Sequence, residues 1–336
     1  MDTLTHLTLG ACIGEAFAGR KLGKRAMLWG AVAHSLPDID FVSSFWLSTP
    51  SALLAHRGLT HSFLFCALAA PIIAFAAGRL HSRRQISWVQ WTLFFVAVIL
   101  LHDVLDAFNN YGVGWFEPFS QSRISFNMVY VADPFFSIWP SVACLALLFL
   151  RQGLPQRKIW SAAGLALSSL YLFYCSYNKL TTDRAFREQL QAQNISYIRY
   201  FTTPAPLQSW LWYVVAGNNS GYYVGYRSVF DQEKTLKLHY FSRNSQLLEH
   251  IKNQDNVRKL VRFSQQFYTV ELKKDTLLFN DLRFGQVAGW QNPDAGFVFH
   301  YFLQYAGANK LVVQRGRFMG WNRAATRSLY KRIWGN

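Results

Sequence analysis

The sequence predicts an α-helical membrane bundle of about five or six helices, followed by a small α+β domain with a mainly antiparallel sheet. Three observations point there. Of 336 residues, 51% are apolar and only 15% charged, whereas soluble proteins average roughly 25% charged. The shortage of charge is confined to residues 1–177, which hold twelve Lys/Arg and eight Asp/Glu, against twenty-two and ten in residues 178–336. After Tyr177 the long apolar runs give way to alternating, strand-like patterns. We therefore read residues 1–177 as a membrane-embedded helical domain carrying the site, and 178–336 as an extramembrane α+β domain. The net charge of +16 divides between them as +4 and +12.

Six stretches are apolar enough to cross or enter a bilayer: residues 3–19, 26–47, 59–78, 88–106, 134–150 and 159–177. A span needs roughly 20 such residues. The third, LTHSFLFCALAAPIIAFAAG, meets that length. The first and fifth are short, and the second is broken by Pro37, which lacks a backbone N–H. The turns RKLGKR, RLHSRR and RQGLPQRK hold ten of the twelve basic residues of the first half. The positive-inside rule makes them cytoplasmic and puts the N-terminus and residue 178 onward on the periplasmic face of a bacterial inner membrane. His81, in one of these turns, is read as solvated. Cys12, Cys66, Cys144 and Cys175 lie in apolar segments without CxxC spacing, so no disulfide framework or thiolate metal motif is present. MDTLTH begins with an acid rather than a basic region, which argues against a cleaved signal peptide.

In the second half, TTDRAFREQLQAQ is a polar helix candidate. QSWLWYVVA and GYYVGYRSVF flank GNNSG, a hairpin signal. TLKLHYFS, QFYTVEL, TLLFNDLRF and FVFHYFLQY are further strand candidates, and SQLLEHIKNQDNVRKLVRFSQQ reads as one helix or two short ones. The tail FMGWNRAATRSLYKRIWGN sets Arg323, Arg327 and Lys331 at helical spacing beside Trp321 and Trp334, the composition of a solvated basic tail or of one lying on an anionic membrane surface.

Ionisable residues in membrane segments are functional-site candidates, and here they gather at one level. Asp2 and His6 begin the first segment, and Asp38 and Asp40 lie in the outer half of the second. His56 and His61 open the third, His102 and Asp106 close the fourth, and Asp133 opens the fifth. All fall at the expected outer ends. Asp2/His6 and His102/Asp106 are i, i+4 pairs, so each pair would share a helical face. His and Asp without Cys favour zinc, manganese or iron. Eight candidate ligands (Asp2, His6, Asp38, Asp40, His56, His61, His102 and Asp106) suffice for one or two ions. His34 is read as orienting a ligand rather than binding, and Asn109 as orienting a ligand or capping its helix. Each has a plainer reading: Asp2 as a helix cap, PDID as a turn, His102 and Asp103 as a local buried pair.

The ordered set MDTLTH, PDID, HRGLTHS, HDVLDAFNNYG and EPFS…RISF…VYVADPFF resembles the YdjM/YbcI-type membrane-bound metal-dependent hydrolases, a family also labelled LexA-binding. The match covers residues 1–136, with a fainter echo in PAPLQSWLW. Helical zinc phospholipases C and P1-type nucleases are distantly similar through the H-x-x-x-D pair and the PD segment. The resemblance implies metal ligands at His6, Asp38, His61, His102 and Asp106, and at the margin of the match Asp40 and His56. It also implies a LexA-type regulator as a partner, by label alone.

The chemistry expected is metal-assisted hydrolysis of a phosphoester, with Asp40 or Asp2 taking a proton from water and Arg57 and Arg123 holding the phosphate. Headgroup anchoring, or pairing with Glu117 or Asp133, is the plainer reading of both arginines. A site at headgroup depth points to a lipid or lipid-linked substrate. The rival reading is a non-enzymatic regulatory membrane protein whose basic second domain binds a protein partner or DNA. That reading needs a cytoplasmic second domain, so the expected topology argues against DNA. A transporter fits less well, because the candidates share one depth instead of forming a route across.

Overall fold

The structure is a computed structural model that describes residues 1–82, 86–233, 235–251, 254–273, 276–303 and 322–335. Arg83 and Arg84 of the second basic turn and Trp321 of the tail lie outside the described residues. The chain divides into two compact units, Met1–Trp46 with Ala55–Cys175, and Leu47–Leu54 with Ser176–Asn336.

The first unit opens with α1 (Thr3–Leu22), whose N-cap is Asp2, and α2 (Lys24–Ser35). These two helices meet backbone to backbone. A Cβ on Gly10 would lie 2.5 Å from the Gly30 carbonyl oxygen, and one on Gly30 would collide with the Gly10 carbonyl oxygen. Gly10 and Gly14 form the small-xxx-small ridge that permits this approach. It also places His34 next to Gly10, one turn from His6.

Pro37 ends the second segment early. Pro37 has no N–H to give the Ala33 carbonyl, which Leu36 N meets instead at 3.4 Å, so α2 stops at Ser35 and a 3-10 helix, Pro37–Phe45, takes over. Successive side chains then turn by about 120°. Asp40 is buried, whereas Ile39, Phe41 and Phe45 are exposed.

The 3-10 turn Leu59–His61 leads into α4 (Phe63–Leu80), capped by Ser62, and α5 (Trp88–Ala107) begins with a Ser87/Gln90 capping box. Ala70, Ala74 and Ala77 of α4 leave room for Trp91, Phe95 and Val98 of α5. His81, read as solvated from the sequence, instead accepts the Trp29 indole N–H at 2.9 Å. Pro134 at the first turn starts α6 (Pro134–Phe149), with Asp133 as N-cap. Arg157 donates two bonds to Glu15 and two to the carbonyls of Leu147 and Leu150, a buried pair that ties α1 to the end of α6.

Among the described residues three helices are long and apolar enough to cross a membrane: α4, α5 and α7 (Pro155–Ala192). The sequence offered six stretches. At 12 residues α2 rises only about 18 Å, too short for the hydrocarbon core. The sixth stretch and the polar TTDRAFREQLQAQ, read as separate elements, form the single 38-residue helix α7. Hydropathy changes along it, but no Gly or Pro interrupts its second half.

In the second unit, α3 (Thr49–Ala55) sends Leu53 into the same buried cluster as the strands. The strands form two antiparallel sheets, β1-β2-β3-β4 and β5-β6-β7. The expected hairpin is β2 (Leu211–Gly217) with β3 (Gly221–Ser228), its turn held by the Asn218 side chain accepting from the backbone of Ser220 and Gly221. The expected strands appear as β4 (His239–Ser242), β5 (Tyr268–Lys273), β6 (Thr276–Gln286) and β7 (Phe297–Phe302). β1 (Arg199–Pro204) pairs with β2 and was not foreseen. The helical stretch resolves into a 3-10 turn, Ser245–Leu248, and α8 (Gln254–Phe263). Side chains of both sheets and α8 share one core: Tyr213, Val215, Tyr222, Leu260, Val270 and Phe279. The opposite face of β2, Val214 and Ala216, packs on Phe186 and Leu190 of α7. A last helix, α9 (Arg323–Ile333), closes the unit.

Candidate metal centre

The centre lies in the first unit where α1, α2, the 3-10 helix, the His56–Ser62 loop and α5 converge. Asp40 organises it. Its carboxylate accepts from His56 Nδ1 at 2.8 Å, Arg57 N at 2.7 Å, Thr60 Oγ1 at 3.0 Å and His61 Nδ1 at 3.2 Å. Burial would raise the Asp40 pKa, but the bonds from His56 and His61 outweigh it and hold the carboxyl well below its usual range. Arg57 takes a positive φ of 61°, which a bulky side chain rarely adopts. Its own N–H on Asp40 and its carbonyl on Gly114 N at 2.8 Å fix that conformation.

Hydrogen bonds also assign the imidazole tautomers. A carbonyl can only accept, so His102 Nδ1, 2.5 Å from the His34 carbonyl oxygen, carries the proton and leaves Nε2 bare. His61 Nδ1 faces the Asp40 carboxylate, which likewise frees its Nε2. The two bare nitrogens lie 3.1 Å apart. Asp38 Oδ1 sits 3.5 Å from His61 Nε2 and 3.9 Å from His102 Nε2. Asp106 Oδ2 lies 3.5 Å from His61 Nε2 and 3.8 Å from His102 Nε2. With both rings neutral, four donor atoms thus crowd one point with no hydrogen among them.

A cation fits this point. Zinc–ligand bonds of about 2.1 Å in a tetrahedron set ligand atoms roughly 3.4 Å apart, and the five separations above fall between 3.1 and 3.9 Å. Buried atoms without a hydrogen-bond partner cluster here too: Asp106 Oδ2, His34 Nε2, Asn109 Nδ2 and both Asp103 oxygens. Burial alone lowers the His61 pKa, but its bonds to Asp38 and Asp40 outweigh burial and raise it. A proton on Nε2 is the other way to relieve the pair, so proton and cation compete for one position.

His6 stands behind this group. Its Nε2 is 3.1 Å from Asp106 Oδ1 and its Nδ1 is 3.1 Å from His34 Nδ1. The Met1 amino group also reaches Asp106. His6, His34 and His102, and separately Asp38, Asp40 and His56, form two further sets whose ligand atoms lie within 4.8 Å of one another.

Two sequence-expected residues do other work. Asp2 stays out of the cluster: it accepts from Thr5 N at 3.0 Å and Thr5 Oγ1 at 2.5 Å, a helix cap. Its backbone is extended, so helical i, i+4 spacing from His6 does not apply to it. Arg123 binds backbone, its Nη2 donating to the carbonyls of His56 at 2.7 Å and Gly112 at 3.0 Å. It clamps the loop rather than facing the centre. Arg57 does face it: Nε pairs with Asp106 Oδ2 at 2.9 Å without hydrogen-bond alignment, and Nη1 donates to Asn109 Oδ1 at 2.6 Å. Burial lowers the Arg57 pKa to about 10, which leaves it cationic at neutral pH.

His34, expected to orient a ligand, meets His102 through its backbone carbonyl and not through its imidazole. Asp103 makes no local pair with His102, because successive helical residues point about 100° apart. The sequence reading missed Thr60, which sits beside His61 and braces Asp40. It also missed Tyr111, whose ring lies 4.9 Å from the Arg57 guanidinium carbon. A hydroxyl inside HRGLTHS was the available signal for the first, and nothing in the pattern marked the second.

The family described as YdjM inner membrane protein matches residues 1–182, a stretch containing the whole centre. The chain is 30% identical over 122 residues to the inner membrane protein YbcI of Escherichia coli (strain K12), an alignment covering 36% of this chain and 69% of that protein. It is 26% identical over 310 residues to the protein YfhP of Bacillus subtilis (strain 168), covering 84% of this chain and 87% of the relative. No solved structure matches it.

Proposed function

The chain belongs to the YdjM inner membrane protein family, and from that membership and the buried His/Asp centre we propose an integral-membrane metal-dependent hydrolase acting on a phosphoester of a lipid or lipid-linked substrate. One observation carries the reading: two bare imidazole nitrogens 3.1 Å apart between two carboxylates. Asp38, His61, His102 and Asp106 hold a first divalent ion, zinc by preference over manganese or iron. His6 with His34 supplies the donors for a second. Such a cation supplies Lewis acidity and makes hydroxide available from water near neutral pH.

The chain's own residues do the rest. Asp40, saturated by four donors, orients His61 and His56 instead of acting as the base. His56 keeps a 37% exposed side chain at the lip, with Nδ1 on Asp40, and its free Nε2 can carry a proton in or out. Arg57 places a buried positive charge where phosphate charge develops. The exposed Ile39, Phe41 and Phe45 beside Asp38 and Asp40 suit acyl or prenyl chains. We place the centre and the second unit on the periplasmic side, reading the basic turns as cytoplasmic and the apolar 16-residue α6 as a further crossing before α7.

The test is elemental analysis of purified protein, beside His61→Ala with Asp106→Ala. Wild type should carry at least one zinc or manganese, and the folded double variant should lose it. Turnover is then sought among phospholipids and polyprenyl phosphates. Full metal retention by the double variant would overturn the ligand set, and cytoplasmic activity of a reporter fused after Asn336 would overturn the orientation.

A further inference from the structure

The basic C-terminal helix serves no part of the centre. Successive residues of α9 turn by about 100°, which sorts its side chains into two faces. On the inner face, Leu329 packs with Ala205 and Leu211. On that side Arg332 also pairs with Asp231 at 2.6 Å, Ser328 accepts from the Trp290 indole at 3.0 Å, and the Ser228 hydroxyl donates to the Ile333 carbonyl. Arg323, Arg327, Tyr330 and Lys331, with Trp334 just beyond the last turn, fall in one arc of about 100° on the opposite face.

That outer arc is exposed, with Tyr330 at 64% and Trp334 at 60%. Phe230, 41% exposed, stacks on Trp334 with ring centroids 5.3 Å apart. The arc holds no acid, and its three cations have no ion-pair partner among the described residues. A helix face that only met water would not need three outward aromatic rings. Aromatic rings beside Lys and Arg are the composition of a bilayer interface, the rings at headgroup depth and the cations on phosphates. A membrane protein always has such a surface within reach.

We propose that this outer face of α9, with Phe230, docks on the surface of a bilayer rich in anionic phospholipid. The arc's uniform positive charge selects anionic over zwitterionic headgroups.

The test uses the full chain in vesicles. A nitroxide is attached at Trp334→Cys, and independently at Tyr330→Cys, with the four native cysteines replaced by serine and a label at Gln291→Cys as the water-facing reference. In phosphatidylglycerol mixed with phosphatidylcholine, both α9 labels should be shielded from a water-soluble nickel complex and open to oxygen, while the reference stays wet. Pure phosphatidylcholine or high salt should expose them. Replacing Arg323, Arg327 and Lys331 by Gln should lower the docked-to-free ratio roughly a hundredfold, about fivefold per cation. Equal water exposure with and without anionic lipid, or an unaffected triple variant, would overturn the proposal. So would shielding that persists in detergent, since protein would then cover the face.

Discussion

In the proposed centre Asp40 is an acid that would never touch the ion. By accepting from His61 Nδ1 it fixes which imidazole nitrogen is bare and strengthens that nitrogen as a donor. An Asp40→Asn change keeps the shape but lets an amide N–H face His61, so the favoured tautomer is lost. Metal affinity, read by chelator competition in detergent, should fall about 10- to 100-fold. Affinity equal to wild type would mean that His61 is oriented by Thr60 alone, whose Oγ1 lies 3.1 Å from the same nitrogen. His102 needs no such acid, because a backbone carbonyl already sets its tautomer. The two histidines are prepared by different means for the same task, and only the first can be undone by changing one distant side chain.

At the scale of elements, the α1–α2 contact decides whether His6 and His34 stand behind Asp106 and His102. Gly30→Ala puts a methyl group onto the Gly10 carbonyl, and backbone cannot move aside as a side chain can. The helices must separate, costing roughly 1–3 kcal/mol, and metal occupancy should fall with the melting temperature. Gly78→Ala in α4 is the control: only Trp91 Cδ1 comes near, at 4.0 Å, so the usual helical gain of up to about 1 kcal/mol should appear. Loss of stability in both variants would show that α1 and α2 are not specially close. The same elements show what a sequence can disclose. His102 and Asp106 were legible as a pair because both lie inside a regular helix, where spacing fixes direction. Asp2 and His6 have the same spacing, yet Asp2 is the cap and its extended backbone breaks the rule. His56 and His61 lie around a loop, so only their residue types, never their geometry, were readable. The unbroken α7 was hidden because hydropathy reports surroundings and not backbone, and RYFTTP carried too little alternation to announce β1.

For the molecule as a whole, stability against pH sums groups that pull in opposite directions. Asp38 and Asp40, held low by their donors, stabilise above the ordinary carboxylate range, and that stability is lost as pH falls through their folded values. Asp133 runs the other way. It caps α6, accepting from Phe135 N at 2.9 Å and from the Tyr171 hydroxyl at 2.9 Å, and so joins α6 to α7. Burial raises its pKa to about 6, more than those bonds lower it. Between about pH 4 and 6 the folded chain therefore keeps a proton that the unfolded chain has released. The Asp133 contribution is complete below about pH 4, declines as pH rises through the folded value, and is constant beyond it. Two units correspond to roughly 3 kcal/mol. His56, lowered by burial in spite of Asp40, contributes with the opposite sign, so the raw melting curve mixes the two. The difference between wild type and Asp133→Asn removes the mixture, because the neutral amide keeps an acceptor and never ionises. Relative to wild type, the variant's melting temperature in detergent should climb by roughly 4–8 °C from pH 4.5 to 7.5. A flat difference across that interval would mean that Asp133 is ionised throughout, and that water rather than Tyr171 meets its charge at the head of α6.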